Sequence, residues 1–307
     1  MSAVVNNVIP VFAIIGLGFA LARLGLLSNE FRRVSDRLAY FLLLPALIFW
    51  KIAQRGAGDL DRNMILAVLG AVLTGWLVSL LAARTIRLEP ARLGAFSQCC
   101  YRFNTYIGLA LCFSAFGDPG TARFGVIIGL AIPFINLLAV STLIWASGQS
   151  FSGARKVWLV IRSIVSNPLI LACLLGLVWA GLDRPLPLIL DKTLSLLTVA
   201  ALPLALISIG GGLSLEKLKG QLGPALTASL VKIGLMPLIG LAWLSLFRVG
   251  GLSLGVAMVF FALATSPSSY ILSAQLHSDP DLAAAVIVLT TLLSILSLSL
   301  VLAVYAP

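Results

Sequence analysis

The chain has 307 residues, of which 60% are hydrophobic and 10% charged, and it carries a formal charge of +10. A soluble domain carries about 25% charged residues, so a water-exposed globular exterior is excluded. The basic excess comes with no RNA- or DNA-binding motif, so no nucleic-acid partner is expected; Lys and Arg gather in cytoplasmic loops of membrane proteins, where anionic headgroups tolerate them.

Apolar runs near 20 residues, the length that crosses about 30 Å of hydrocarbon, recur ten times: 4–22, 38–54, 64–83, 93–116, 124–147, 164–182, 193–215, 222–247, 252–276 and 282–306. The start, "MSAVVNNVIPVF", has no basic n-region and reads as the first span rather than a signal peptide. The second span holds Pro45 in "LLLPALIF" and ends near Lys51, which can snorkel to the interface. The fourth contains "CCYRFNTYIGLALC", with Arg102, Asn104, Thr105 and Gly108 inside apolar surroundings. In the fifth, Asn136 beside Pro133 faces either a cavity or a packed neighbour. The linker "GQSFSGARKVWLVIRS" reads equally as a basic surface helix or a solvated connection. The seventh span carries Pro203 and then Gly210, Gly211 and Gly212, which serve close packing or a bend. Lys232 in the eighth is expected to snorkel or to meet a carbonyl. The ninth holds "ATSPSSYIL" and ends at His277, the single histidine, read as a helix-end cap. Cys99, Cys100, Cys112 and Cys173 all lie in apolar segments and read as small buried side chains, with no metal site implied.

Orientation follows from the loop charges. With the N-terminus outside, the inside loops hold twelve Lys and Arg and the outside loops seven, leaving Arg102 and Lys232 within the membrane. Both termini are therefore expected outside.

Five spans plus five invite a search for self-similarity. A shift of 158 carries Pro10 to Pro168, Gly18 to Gly176 and Pro45 to Pro203, and a shift of 161 carries Asp118-Pro119 to Asp279-Pro280. Repeats at 1–150 and 151–307 are expected, and an odd number of spans per repeat inverts the second copy. Inverted repeats are a recurrent build for secondary transporters, with the site near midplane on discontinuous helices. The fold class expected is an all-α polytopic membrane protein of ten transmembrane helices, in two inverted five-helix repeats, with helices 4 and 9 broken where they cross.

The break positions can be placed. Asn104 lies 11 residues from Leu93 and 14 from Asp118, or about 16 and 21 Å of helix, close to midplane. The 161 shift carries it to Thr265 in "ATSPSSYIL". Pro267 removes a backbone donor and crowds the preceding turn, while Ser266, Ser268 and Ser269 can satisfy freed backbone groups. Such backbone at this depth must be buried in protein or line a cavity, and half-helix N-termini aimed there favour an anion. An arginine at the bilayer centre costs about 2.5–3.5 kcal/mol, which a carboxylate could offset through charge-assisted hydrogen bonds. Arg102 is thus the first candidate for an anion ligand; a structural arginine on carbonyls of the ninth span, or a snorkelling one, stands beside it. All eleven acids, Asp36 and Asp118 among them, fall in loops or at helix ends, which argues against simple carboxylate-based proton coupling. Sodium coupling stays open, since carbonyls and hydroxyls can hold a cation at unwound helices, as does an anion moving down its own gradient. No other cofactor is expected.

Over its whole length the chain resembles the auxin efflux carrier family, which includes plant PIN-type carriers and bacterial organic-anion transporters. The resemblance rests on the order and spacing of "YFLLLPALIF", "RFNTYIGLAL", "ALPLALISIGGGLSL", "VKIGLMPLIG", "ATSPSSYIL" and "LTTLLSILSLSL". It implies a scaffold of helices 1, 2, 6 and 7, a mobile unit of helices 3–5 and 8–10, an elevator-like movement and a homodimer, in the inner membrane of a bacterium. The family's Asn-Thr pair maps onto Asn104 and Thr105, its glycine onto Gly108, and its ninth-helix proline onto Pro267; where members often carry proline, this chain has Ala110. The function expected is secondary transport of small organic anions, mono- or dicarboxylates. A ten-span drug- or metabolite-type transporter would have continuous helices instead, a channel would not show stoichiometric exchange, and an intramembrane enzyme would need His and acids in reach of one another.

Overall fold

A computed structural model describes residues 2–54, 61–146, 158, 161–162 and 165–306; most of the basic linker after the fifth span lies outside them. In chain order the helices are α1 Ser2–Arg23, α2 Asn29–Leu38, α3 Leu44–Ala53, α4 Arg62–Thr85, α5 Pro90–Tyr101, α6 Thr105–Ala146 and α7 Pro168–Gly181. They continue with α8 Leu188–Gly212, α9 Leu222–Ser229, α10 Met236–Leu246, α11 Gly251–Ala262, α12 Ser268–Gln275 and α13 Pro280–Tyr305. No strand occurs among the described residues. In hydrocarbon, helices satisfy their own backbone groups, so an apolar chain without water partners folds this way.

The starts are written in local chemistry. Ser28, Asp61, Asn167 and Asp279 each accept a backbone N–H from the first turn of α2, α4, α7 and α13. Pro90, Pro168 and Pro280 open α5, α7 and α13, where a missing N–H does no harm. Two wide π-helical turns, Ala39–Leu43 and Leu230–Leu235, stand immediately before Pro45 and Pro237. Proline cannot donate and collides with the carbonyl four residues back, so the turn before it widens. Pro203, by contrast, stays inside an uninterrupted α8.

Among the described residues six helical stretches are long and apolar enough to cross a membrane, and the chain is an integral membrane protein. One of them, Pro90–Ala146, has 57 residues, about 85 Å if straight. It is not straight. It leaves helical geometry at 102–104, and Gly117 takes φ 61°, ψ −153°, a conformation restricted to glycine. Phe103 and Phe124 would lie about 31 Å apart on a continuous helix, yet their ring centroids are 6.0 Å apart. The chain therefore turns back at Gly117.

α1 packs on α8 and α3 on α7. A Cβ on Gly18 would fall on the carbonyl oxygen of Ile207, and one on Gly210 on that of Ile15, so α1 and α8 touch backbone to backbone. A Cβ on Gly176 would stand 3.2 Å from the carbonyl oxygen of Phe49. Gly18 to Gly176 and Phe49 to Ile207 are each 158 residues apart, so one contact is the other with the chain halves exchanged. Gly210 serves close packing. At the α3 end, Lys51 is buried and its Nζ meets Asp118 Oδ1 at 2.7 Å, beside the Gly117 turn.

Candidate functional site

The two breaks meet. α5 stops at Tyr101 and α6 starts at Thr105; α11 stops at Ala262 and α12 starts at Ser268. The backbone N–H of Asn104 donates to the carbonyl of Ala264 at 2.9 Å. Thr265 Oγ1 donates to the carbonyl of Cys99 at 2.6 Å, and its N–H donates to Thr290 Oγ1 at 3.1 Å. Ser297 Oγ closes the carbonyl of Ala262 at 2.8 Å and Lys232 Nζ that of Phe261 at 3.2 Å. Each of these reaches a group that lost its helical partner at the break, as the absence of water demands. Phe103 packs on Phe260 with centroids 4.4 Å apart, which keeps the junction apolar on that side. Replacing Thr265 with valine keeps the shape and removes the bond to Cys99. We expect it to lower stability by about 1 kcal/mol, the usual worth of such a bond in a membrane protein, read as an earlier thermal unfolding in detergent.

Helix starts at the junction are already capped. Asn104 Oδ1 accepts from the N–H groups of Tyr106 (3.1 Å) and Ile107 (3.2 Å). The carbonyl of Ser266 accepts from Ser269 at 3.0 Å, and Ser266 Oγ lies 2.7 Å from Ser268 Oγ. Most first-turn donors are thus taken, and what remains for a ligand is side-chain chemistry plus the positive helix ends. Arg102, 7% exposed, donates through Nη2 to Ser268 Oγ at 3.0 Å, and its Nη1 is buried without a partner. Asn104 Nδ2 is likewise buried and unpartnered. Gln98, one helical turn before Arg102, donates to Ser273 Oγ at 2.9 Å and to the carbonyl of Ser269 at 3.3 Å, leaving Oε1 unpartnered. Among the described residues the buried charged side chains are Lys51, Arg102 and Lys232, with no Asp or Glu among them. Lys51 has its carboxylate and Lys232 a carbonyl. Arg102 has only a neutral hydroxyl, and its Nη1, like Asn104 Nδ2, is left without a partner.

Arg102, Asn104, Thr105, Ser266, Pro267, Ser268 and Ser269 are therefore brought together at one junction, and Gly108 lies just beyond, where a Cβ would run into Phe124. Asn136 is buried on α6 past Pro133 and, among the described residues, makes no hydrogen bond to the junction. Pro45 and Pro203 lie on α3 and α8, apart from it. Carbonyls of the ninth span are met by Lys232 and Asn104, not by Arg102. Gln98, Ser273 and Thr290 were not among the sequence candidates. Gln98 was within reach of a pattern reading, since a polar residue four before Arg102 shares its face. His277 takes a positive φ of 55° after α12, as a chain-reversing residue at a helix end. The four cysteines are buried free thiols. No group of three or more His, Cys, Asp and Glu side chains suited to a metal occurs among the described residues.

The membrane transport protein family matches residues 3–151 and 153–302. A protein of Rhizobium meliloti named "Putative malonate transporter" is 26% identical over 306 residues, covering 96% of this chain and 93% of that one. An uncharacterized transporter of Methanothermobacter thermautotrophicus is 25% identical over 302 residues, 96% of both chains. Another, from Methanocaldococcus jannaschii, is 24% identical over 300 residues, 95% of this chain and 96% of that one.

Proposed function

The chain belongs to the membrane transport protein family, which includes the auxin efflux carriers, and from that premise we propose that it is a secondary carrier of small organic anions, dicarboxylates such as malonate first. The observation that carries the proposal is the pair of idle buried donors, Arg102 Nη1 and Asn104 Nδ2, at a junction with no buried acid. A carboxylate placed between them would take charge-assisted hydrogen bonds from both and neutralise the guanidinium. The name of the Rhizobium meliloti relative supports a carboxylate cargo.

Alternating access belongs to the same reading. The ten crossings form two inverted five-helix repeats, 1–150 and 151–307; the exchanged contacts of Gly18 and Gly176 and the paired breaks support that pattern. Helices 1, 2, 6 and 7 form the scaffold, and helices 3–5 and 8–10 carry the site past it in an elevator-like movement. Pro45 and Pro203 are hinge positions of the scaffold, and Asn136 lines the path of the cargo. The working unit is a homodimer in a bacterial inner membrane with both termini outside.

Uptake of labelled malonate into proteoliposomes preloaded with unlabelled malonate tests the cargo. Expected is counterflow well above empty liposomes, competed by other small dicarboxylates and not by cations or neutral amino acids. Counterflow of none of a panel of mono- and dicarboxylates would remove the anion reading; flux without exchange would make the protein a channel.

A further inference from the structure

We propose that Gln98 selects the protonation state of the cargo: its side-chain oxygen accepts a hydrogen bond from the anion, so the form carried is a monoanion with a donor of its own, half-protonated malonate before the dianion. The inference rests on the carrier reading above. Gln98 lies four residues before Arg102, on the same face of α5. Both side chains reach α12. The guanidinium donates to the hydroxyl of Ser268; the amide donates to the carbonyl of its neighbour Ser269 and to the hydroxyl of Ser273, one turn on. Amide and guanidinium therefore stand side by side over the start of α12. Gln98 is fully buried. A backbone carbonyl can only accept, so the amide end that faces Ser269 is the nitrogen and the end left over is the oxygen. That Oε1 has no partner. The junction thus offers idle groups of both kinds, the donors Arg102 Nη1 and Asn104 Nδ2 and the acceptor Gln98 Oε1.

A dianion matches only half of this set. All its oxygens accept, so they suit Arg102 and Asn104 and repel Oε1. It also brings two charges to one guanidinium. α5 packs on α4, α6, α9, α12, α13 and the π turn Leu230–Leu235. Lys232 in that turn is held on the Phe261 carbonyl, and Asp118, Asp279 and Asp281 pair with Lys51, Arg92 and Lys217. Arg62 and Arg84 stand at the ends of α4, Arg123 follows the Gly117 turn, and His277 follows α12. Phenols and thiols on these elements, Cys99, Tyr101, Tyr106 and Tyr270 among them, are ordinarily uncharged near pH 7. A second ionised carboxylate would therefore be buried without a partner, which is costly. The half-protonated acid matches the whole set: its carboxylate takes Arg102 and Asn104, and its O–H donates to Gln98. The proton stays on the ligand, taken up from water where malonate enters and returned to water where it leaves. No bond in the protein forms or breaks, and this proton movement needs no carboxylate within the membrane.

The test uses the full-length protein in proteoliposomes and reads inhibition constants in counterflow of labelled malonate. As pH rises through the second ionisation of malonate, the affinity for total malonate should fall, approaching about tenfold per pH unit as the monoanion disappears. Two probes keep a single charge throughout that range. Malonamate, whose amide N–H donates, should compete equally well at every pH. Monomethyl malonate, which has no donor, should compete about tenfold more weakly or worse, because a buried acceptor is left unpaired. Gln98→Met keeps the length and loses the acceptor. In that variant the ratio between the two probes should fall to about twofold or less, whereas steric exclusion of the methyl ester would leave the ratio where it was. Malonate affinity that stays flat or rises as the dianion forms, probes that compete equally in wild type, or a ratio unchanged in Gln98→Met each overturns the proposal and leaves the anion carrier standing. The first two results need only wild type, so they decide even where the variant does not fold. Absence of counterflow of any carboxylate in wild type removes both.

Discussion

Arg102→Ala is expected to abolish malonate counterflow in practice, and Arg102→Lys to leave a small remnant. The guanidinium is 7% exposed and held by one bond to Ser268, so the ligand finds it already oriented. Removing one partner of a desolvated charge pair costs about 2–5 kcal/mol, because the other charge is left unpaired. At about 1.4 kcal/mol per factor of ten, that is a loss of roughly 30- to 4,000-fold in affinity. Lysine keeps the charge, but its point-like ammonium cannot hold Ser268 and a carboxylate in one plane. Ser268→Ala isolates the orienting role: the charge stays, its tether goes, and a loss of about tenfold is expected, near the worth of one hydrogen bond to a charged group. Unchanged malonate affinity in both Arg102 variants, measured by competition in counterflow, would remove Arg102 from the site.

The same junction separates what was legible in the sequence from what was not. Asn104 and Pro267 announced the breaks because each acts on its own turn, one by capping and one by lacking an N–H. Their places along the chain followed from counting residues. What Asn104 does with its two side-chain ends was not legible: Oδ1 caps α6 while Nδ2 is left over, and only the placement of α11 against α5 decides that. Gln98 and Ser273 meet across 175 positions of chain, beyond any local period. Lys232 was expected to snorkel or meet a carbonyl, and a carbonyl freed by the ninth-span break is what it found. The glycines of span seven were ambiguous because close approach and bending both favour a missing Cβ, and only the facing backbone of Ile15 separates them.

That facing backbone gives the largest stability effect we expect. A glycine-to-alanine change in a helix normally gains about 1 kcal/mol. At Gly16, where a Cβ would meet nothing within 4 Å, the gain should appear as unfolding at the same or a higher temperature. At Gly176 the new methyl would stand 3.0 Å from Ile52 Cβ and 3.2 Å from the carbonyl oxygen of Phe49, so a small loss is expected. At Gly210 it would overlap the carbonyl of Ile15, which is main chain and cannot swing aside. α1 and α8 must then separate, and helices in lipid have little besides close packing to hold them. Overpacking typically costs about 1–3 kcal/mol, so Gly210→Ala should unfold earlier in detergent despite its better propensity, and Gly210→Val earlier still. Thermal unfolding of the four variants side by side checks the order. If Gly210→Ala unfolds no earlier than Gly16→Ala, then α1 and α8 do not touch through their backbones, and the contact that mirrors Gly176 on Phe49 loses its support for a scaffold built from two exchanged halves.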